Sequence, residues 1–379
     1  MIVALETTNG HMSDADMEAF NVGIVPETTV EPEVVADDGV GTLDDVRRLC
    51  QNLTGACRAV VQGRDDVIDM VMTALLADGH VLLEDHPGSG KTTLAKALGR
   101  CIVRNGGDEA YASFRRIQFT PDLLPSDVTG TTMFDPETSA FVYRPGPIFA
   151  NLVLADEINR TSPKVQAALL EAMAEKQVTV DNTTHALEDL FFVLATQNPL
   201  DLVGTYPLPK AQLDRFLFKV KMNHLARDGE LEVLTKWGAA RRSAPTCSVA
   251  PRTIVAAREV IRENVRVAPL IHEALVDISM ALRHDRRVAL GVSTRSLVLA
   301  IPALQTRAVM QGRDFVSHED IKALAVPLFS HRVDLAPGVK DADAVVVENT
   351  AKVIETMARR TLTKSSAPIT AQVVNRRPR

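Results

Sequence analysis

Residues 81–98 read VLLEDHPGSGKTTLAKAL, and this stretch decides the fold. Val81, Leu82 and Leu83 form a short apolar run of the kind that makes a buried strand. A Gly/Pro-rich turn follows, then Thr92, Thr93 and a helix with Leu94, Leu98 and Cys101 on one face. Strand, glycine turn and helix are the parts of a phosphate-binding loop, whose backbone N–H groups and helix N-terminus cradle polyphosphate. The candidate cradle is Pro87, Gly88, Ser89, Gly90, Lys91, Thr92 and Thr93. Lys91 would reach the outer phosphates and the Thr92 hydroxyl would bind Mg2+. The usual motif opens on a glycine where this chain has Asp85, so the turn after residue 85 is expected to make the contacts. A Gly-rich loop with a surface lysine is the plainer alternative, but it does not call for the strand and helix on either side.

Working outward downstream, NLVLADEINR (residues 151–160) is an apolar strand ending in adjacent carboxylates, Asp156 and Glu157. One carboxylate at such an end can hold Mg2+, and the next can polarise an attacking water. Acidic residues often end strands, so the pair gains its meaning from Lys91 and Thr92 upstream. A helix with Val165, Leu169 and Met173 in line follows, then a hairpin around Asp181-Asn182. LFFVLATQNP (residues 190–199) is the next buried strand and ends in Thr196, Gln197 and Asn198. A polar side chain there would sit beside the Asp156-Glu157 strand end, where it could touch a γ-phosphate or the water. Asn198 is the candidate; a loop-capping role is its alternative. Between the phosphate loop and the carboxylates, RRIQFT reads as a strand, and Met133–Phe134 with Phe141–Tyr143 as a projecting hairpin.

The chain has 379 residues and a formal net charge of −6, with 46% hydrophobic residues, enough for two domains with substantial cores. Residues 1–43 carry nine acidic residues and no Lys or Arg, so the remainder is net basic at +3. This segment is expected to be a disordered acidic tail, with Met12 as an alternative start to Met1. No apolar run approaches the roughly 20 residues that span a bilayer, and no signal pattern opens the chain, so a cytoplasmic location is expected. Cys50, Cys57, Cys101 and Cys247 lack metal-ligand spacing and read as reduced core residues. Thr42 is an N-cap candidate before an acidic first turn, and the chain is periodic from there, with Val46, Leu49 and Leu53 on one helical face. Beyond His224 it reads as helical with no further strand pairs: Ile271, Leu275, Ile278 and Leu282 share a face, as do Leu297, Ile301, Leu304 and Ala308. Ser317 with Asp320 has the form of a capping box, and a last helix is expected over Ala342–Arg360 before a basic tail.

HPGSGKT, QFTPDLLPSDVTG, RPGPIFANLVLADEINR, QAALLEAMAEKQVTVD, FFVLATQNP, GTYPLP and AQLDRFLF together closely resemble the MoxR family of AAA+ ATPases, in the helix-2-insert clade. The resemblance covers roughly residues 44–335. It implies an α/β fold: a P-loop αβα core with a parallel five-stranded sheet (44–223), an all-helical lid (224–335) and a C-terminal helix and tail (336–379). It also implies ATP and Mg2+ as cofactors, a homo-oligomeric, hexameric ring with nucleotide between subunits, and a protein client, often a von Willebrand factor A domain protein. The two hairpins would be the helix-2 and pre-sensor-1 insertions. Lys91 and Thr92 match the Walker A pair, Asp156 and Glu157 Walker B, Asn198 sensor 1, Arg215 the arginine finger and Arg295 sensor 2. Val61, Gln62 and Gly63 fall where the family places adenine. Arg215 is read at a helix start, where a planar cation could stabilise phosphoryl transfer on a neighbour's nucleotide; a surface ion pair with Asp214 is its alternative. For Arg295 the alternative is an ordinary exposed arginine at a helix end. Lys210 stands where the family often has Glu, which reverses charge near the expected subunit boundary. Two other classes stay open: a nucleic-acid motor, disfavoured by the net charge and the lack of a dense basic stripe, and a nucleotide-gated scaffold, disfavoured by the intact Asp-Glu pair.

Overall fold

The computed structural model describes residues 39–85, 89–104, 111–198, 204–240 and 247–365. Most of the acidic segment, the loop residues Pro87 and Gly88, and the basic end lie outside the described residues.

Helix α1 (Leu43–Val60) starts at Thr42, whose hydroxyl accepts from the Asp45 N–H while Asp45 accepts from the Thr42 N–H. That reciprocal cap satisfies two donors the helix cannot bond internally. Helix α2 (Asp65–Leu76) leads to β1 (Val81–Asp85), and α3 (Lys91–Cys101) follows the candidate phosphate loop. Next come β2 (Ala112–Gln118), the one-turn α4 (Pro125–Thr129), the hairpin β3 (Gly130–Asp135) and β4 (Ala140–Pro145), and β5 (Ala150–Asp156). Helix α5 (Pro163–Glu175) precedes the second hairpin, β6 (Gln177–Val180) and β7 (Thr183–Ala186). Strand β8 (Phe192–Gln197), the short α6 (Lys210–Leu213) and β9 (Phe218–Met222) complete the α/β part.

Five strands pair in parallel in the order β2-β5-β8-β1-β9. Parallel strands covered on both faces are apolar throughout, and every residue of β5 is buried. Alternate residues divide between two cores. Val81, Leu83, Leu152, Leu154 and Leu194 face the helices α1, α2 and α3. Leu82, Val153, Ala155 and Val193 face α5 with Leu169 and Met173. The five-stranded sheet with helices on both faces is the expected αβα core.

Both hairpins form where expected. Phe134 pairs with Phe141 in the first, and Asp181 and Asn182 make the tight turn of the second with φ of 48° and 63°. Gly130 opens the first with φ of +98°, and a Cβ there would lie 2.3 Å from the Arg144 carbonyl oxygen.

The rest is mainly helical: α7 (Arg227–Ala240), α8 (Pro251–Asn264), α9 (Pro269–His284), α10 (Thr294–Met310), α11 (His318–Phe329) and α12 (Ala342–Ser365). Ile271, Leu275, Ile278, Leu282, Leu304 and Ala308 are buried and continue the core of one sheet face into this bundle. The cap at Ser317 forms, with its N–H donating to Asp320 Oδ2 at 2.8 Å. The expectation of no further strand pairs is corrected. Strand β10 (Val288–Leu290) pairs antiparallel with β11 (Asp334–Leu335). Strands this short carry no readable alternation, and their pairing follows from how α9 and the segment after α11 are packed. Among the described residues no helix is long and apolar enough to cross a membrane.

Candidate active site

All strands of the sheet run the same way, so the ends of β1, β8 and β5 open on one edge, the usual position of ligand sites in open parallel sheets. Gly90 caps α3 with φ of +97°, a left-handed conformation that glycine adopts without strain. Lys91 is the first residue of α3, Thr92 is half-buried and Thr93 exposed. Ser89 Oγ is buried and has no hydrogen-bond partner among the described residues. An orphaned hydroxyl beside a helix N-terminus fits a phosphate cradle.

At the end of β5, Asp156 is buried and Glu157 turns sharply, with φ of 59° and ψ of 48°. A non-glycine residue in that region is unusual and has to be held there by its surroundings. Thr196 on β8 holds it. The Glu157 N–H donates to Thr196 Oγ1 at 2.9 Å, and the Thr196 hydroxyl donates to Asp156 Oδ1 at 2.6 Å. Arg116 on β2 donates to Asp156 Oδ2 from Nη2 at 2.6 Å and from Nε at 3.2 Å. Gln118 Nε2 donates to Glu157 Oε2 at 2.9 Å, with Arg160 Nε 3.4 Å from the same oxygen. Asn198 is buried, and its carbonyl accepts from Asn159 Nδ2 at 3.3 Å. Next to it in the sheet, Gln197 Nε2 and Lys219 Nζ both reach Glu84 Oε1, at 2.8 Å and 2.9 Å.

Sequence reading chose Asn198 from the polar triplet and passed over Thr196, the residue that joins the two carboxylates. Arg116 and Gln118 were also missed. Their one signal was alternation: residues 116 and 118 lie on the same face of β2 and next to β5.

Residues 80–218 match the family model described as "ATPase family associated with various cellular activities (AAA)", and residues 280–354 match "AAA lid domain". The Bacillus subtilis protein YeaC is 46% identical over 314 residues, 80% of this chain and 94% of that protein. Chaperone MoxR1 of Mycobacterium tuberculosis is 35% identical over 292 residues, 73% of this chain and 74% of the relative. A solved structure of a candidate ATPase from Cytophaga hutchinsonii superposes with a TM-score of 0.71 at 33% identity, covering 84% of this chain and 95% of that one. The chain belongs to the MoxR family of AAA+ ATPases.

In this MoxR-family ATPase the loop Val61–Gly63 sits beside the sheet edge. Val61 is buried, and Gln62 Nε2 bonds the Arg58 carbonyl at 3.1 Å. A Cβ on Gly63 would lie 3.0 Å from Leu225, and Arg64 Nη1 donates to the Asn223 carbonyl at 2.5 Å. Asn223 follows β9, whose Met222 pairs with Asp85 at the mouth of the phosphate loop. The adenine candidates and the loop therefore share one end of the sheet.

Arg215 departs from the sequence reading twice. It follows the four-residue α6 and does not start a helix. Nor does it pair with Asp214: Arg215 Nη1 donates to the Leu170 carbonyl at 2.9 Å, while Asp214 Oδ1 accepts from Arg332 Nε at 2.6 Å. Arg295 is exposed in the first turn of α10, and the next residue, Ser296, donates to Asp214 Oδ1 at 3.4 Å. Lys210 keeps its charge within the chain, bonding the Val333 carbonyl at 3.0 Å and Asp334 Oδ1 at 3.2 Å.

Proposed function

We propose that this ATPase hydrolyses ATP with Mg2+ and uses the cycle for chaperone-like remodelling or maturation of a protein client. The observation that carries the reading is the Asp156–Thr196–Glu157 link, set on the same sheet edge as the α3 N-terminus. Thr92 and Asp156 would hold the cation, whose charge offsets that developing on the phosphates. Gly90, Lys91 and the first N–H groups of α3 bind the phosphates, and Val61–Gly63 receive adenine. Glu157 takes the proton of the attacking water, with its carboxylate aimed by Gln118 and its backbone fixed by Thr196. Asn198 orients the water or the γ-phosphate. Arg215 serves the neighbour's nucleotide in a ring, and Arg295 reports the nucleotide to a lid that begins after residue 223. MoxR1 bears the name chaperone, and this supports a protein as the object of the cycle; the family resemblance adds a von Willebrand factor A domain protein as a client to test first.

The test is Glu157→Gln, which keeps size and hydrogen bonding but removes the base. ATP should still bind, and phosphate release should fall on the order of a hundredfold. The same variant, held with ATP, should retain the client in a pull-down. Phosphate release at the parent rate would refute the assignment of Glu157, and with it the hydrolytic reading of this edge.

A further inference from the structure

Arg332 closes the 3-10 turn Ser330–Arg332 after α11 and is buried, at 8% exposed. A buried guanidinium needs partners for its five N–H donors. Here all but one of the bonds go to one short loop of the α/β core, residues 214–217. Arg332 Nε donates to Asp214 Oδ1 at 2.6 Å, and Nη2 donates to the Asp214 carbonyl at 3.2 Å and the Phe216 carbonyl at 2.7 Å. Nη1 donates to the Leu217 carbonyl at 3.1 Å and to the Leu328 carbonyl. The neighbouring His331 Nε2 lies 3.2 Å from the Phe216 carbonyl oxygen. The gripped groups thus flank Arg215 on both sides and clamp its backbone, while its guanidinium donates to the Leu170 carbonyl on α5 at 2.9 Å. Burial lowers the affinity of Arg332 for its proton and the Asp214 carboxylate opposes that, so the ion pair keeps the charge in place. Ser296, next to Arg295, shares the Asp214 carboxylate.

We propose that Arg332 is the positioning residue for Arg215: the segment after α11 fixes the 214–217 loop, so the placement of the helical bundle in one subunit sets the finger it presents to the next. This rests on the reading of Arg215 as a finger in trans. The distance from Arg332 to Asp214 in sequence, 118 residues, means the clamp exists only when bundle and core are docked.

The experiment uses full-length subunits mixed in pairs, with co-assembly confirmed by cross-linking. Arg215→Ala and Glu157→Gln proteins, each inactive alone, are mixed first. Recovered hydrolysis establishes action in trans; no recovery removes the finger reading and this proposal together. Asp214→Asn is then added to one partner at a time, and Arg332→Lys in a parallel series. On the Glu157→Gln subunit, which donates the finger, either change should cut recovered kcat by about a hundredfold with KM unchanged, the typical cost of a misplaced catalytic group. On the Arg215→Ala subunit, which hosts the nucleotide but gives no finger, recovery should stay within about twofold. A merely structural Arg332 would lower both arrangements alike, and that result, or no effect in either, overturns the proposal while leaving the finger reading intact. Asp214→Asn is close to isosteric at a partly exposed side chain, so it carries the test if Arg332→Lys does not fold.

Discussion

Replacing Thr196 by Val tests whether the link between the two carboxylates is as central as its geometry implies. Thr196 is 1% exposed, and valine fills the same space, so the change removes a hydroxyl without opening a cavity. Two hydrogen bonds are lost. The Glu157 N–H, at 2.9 Å from Thr196 Oγ1, is left with an apolar neighbour, and Asp156 Oδ1 loses a donor at 2.6 Å. A buried N–H without a partner costs about 1–3 kcal/mol, and a bond to a charged acceptor is worth about 1.5–3 kcal/mol. Arg116 still holds Asp156 Oδ2, so part of the second loss is absorbed, and the sum expected is about 3 kcal/mol. Urea denaturation would measure it. The rate should suffer more than the fold. Glu157 is kept in a left-handed conformation with φ of 59°, and without its anchor the carboxylate drifts from its line of attack, lowering kcat by about a hundredfold. Thr196→Ser, which keeps the hydroxyl and loses a buried methyl, should cost about 1 kcal/mol and leave kcat near the parent value. Stability and turnover of the parent in Thr196→Val would refute the reasoning.

Lys91→Ala should abolish ATP binding in a fluorescence titration, because it removes the cation at the start of α3 that we propose binds the phosphates; unchanged affinity would remove the central assignment. Burial pushes the His80 imidazole down to about 4 from an ordinary 6.5, with Nδ1 accepting the Val193 N–H and Nε2 facing the Met173 carbonyl. The unfolded chain takes that proton first, so this stability is complete above about pH 6.5 and is lost as pH falls toward 4, about 3 kcal/mol in all. The buried His331 shifts in the same direction, and a urea midpoint that does not fall between about pH 7 and about pH 4.5 would contradict both. Gly130→Ala should drive a Cβ to 2.3 Å from the Arg144 carbonyl and loosen the β3–β4 hairpin, read as faster hydrogen exchange over residues 130–145; unaltered exchange there would count against the close approach.

The strand and helix of residues 81–98, the Asp156-Glu157 strand end, both hairpins and the caps at Thr42 and Ser317 could be read from the sequence alone. Each is written within a few residues: apolar runs bounded by turn formers, paired left-handed turn residues, a hydroxyl three positions before an acid. Such signals depend on backbone geometry that is the same in any protein. The finger candidate shows where they stop. Arg215 beside Asp214 reads locally as an ion pair, yet Asp214 takes Arg332 from 118 residues away. Lys210, read as a charge at a boundary, is satisfied by Asp334 in its own chain.

Thr196, Arg116 and Gln118 acquire their roles only because the sheet order sets β5 between β2 and β8. Their side chains meet Asp156 and Glu157 through strand register, with Gln118 opposite Asp156 and Ala195 opposite Ala155. Register and order are fixed by which faces bury against α5 on one side and α1 to α3 on the other, a property of the whole packed domain. The residue types that could bind and hydrolyse a nucleotide are therefore present in the linear chain, whereas the contacts that aim them are made between elements far apart in sequence and exist only once those elements have packed.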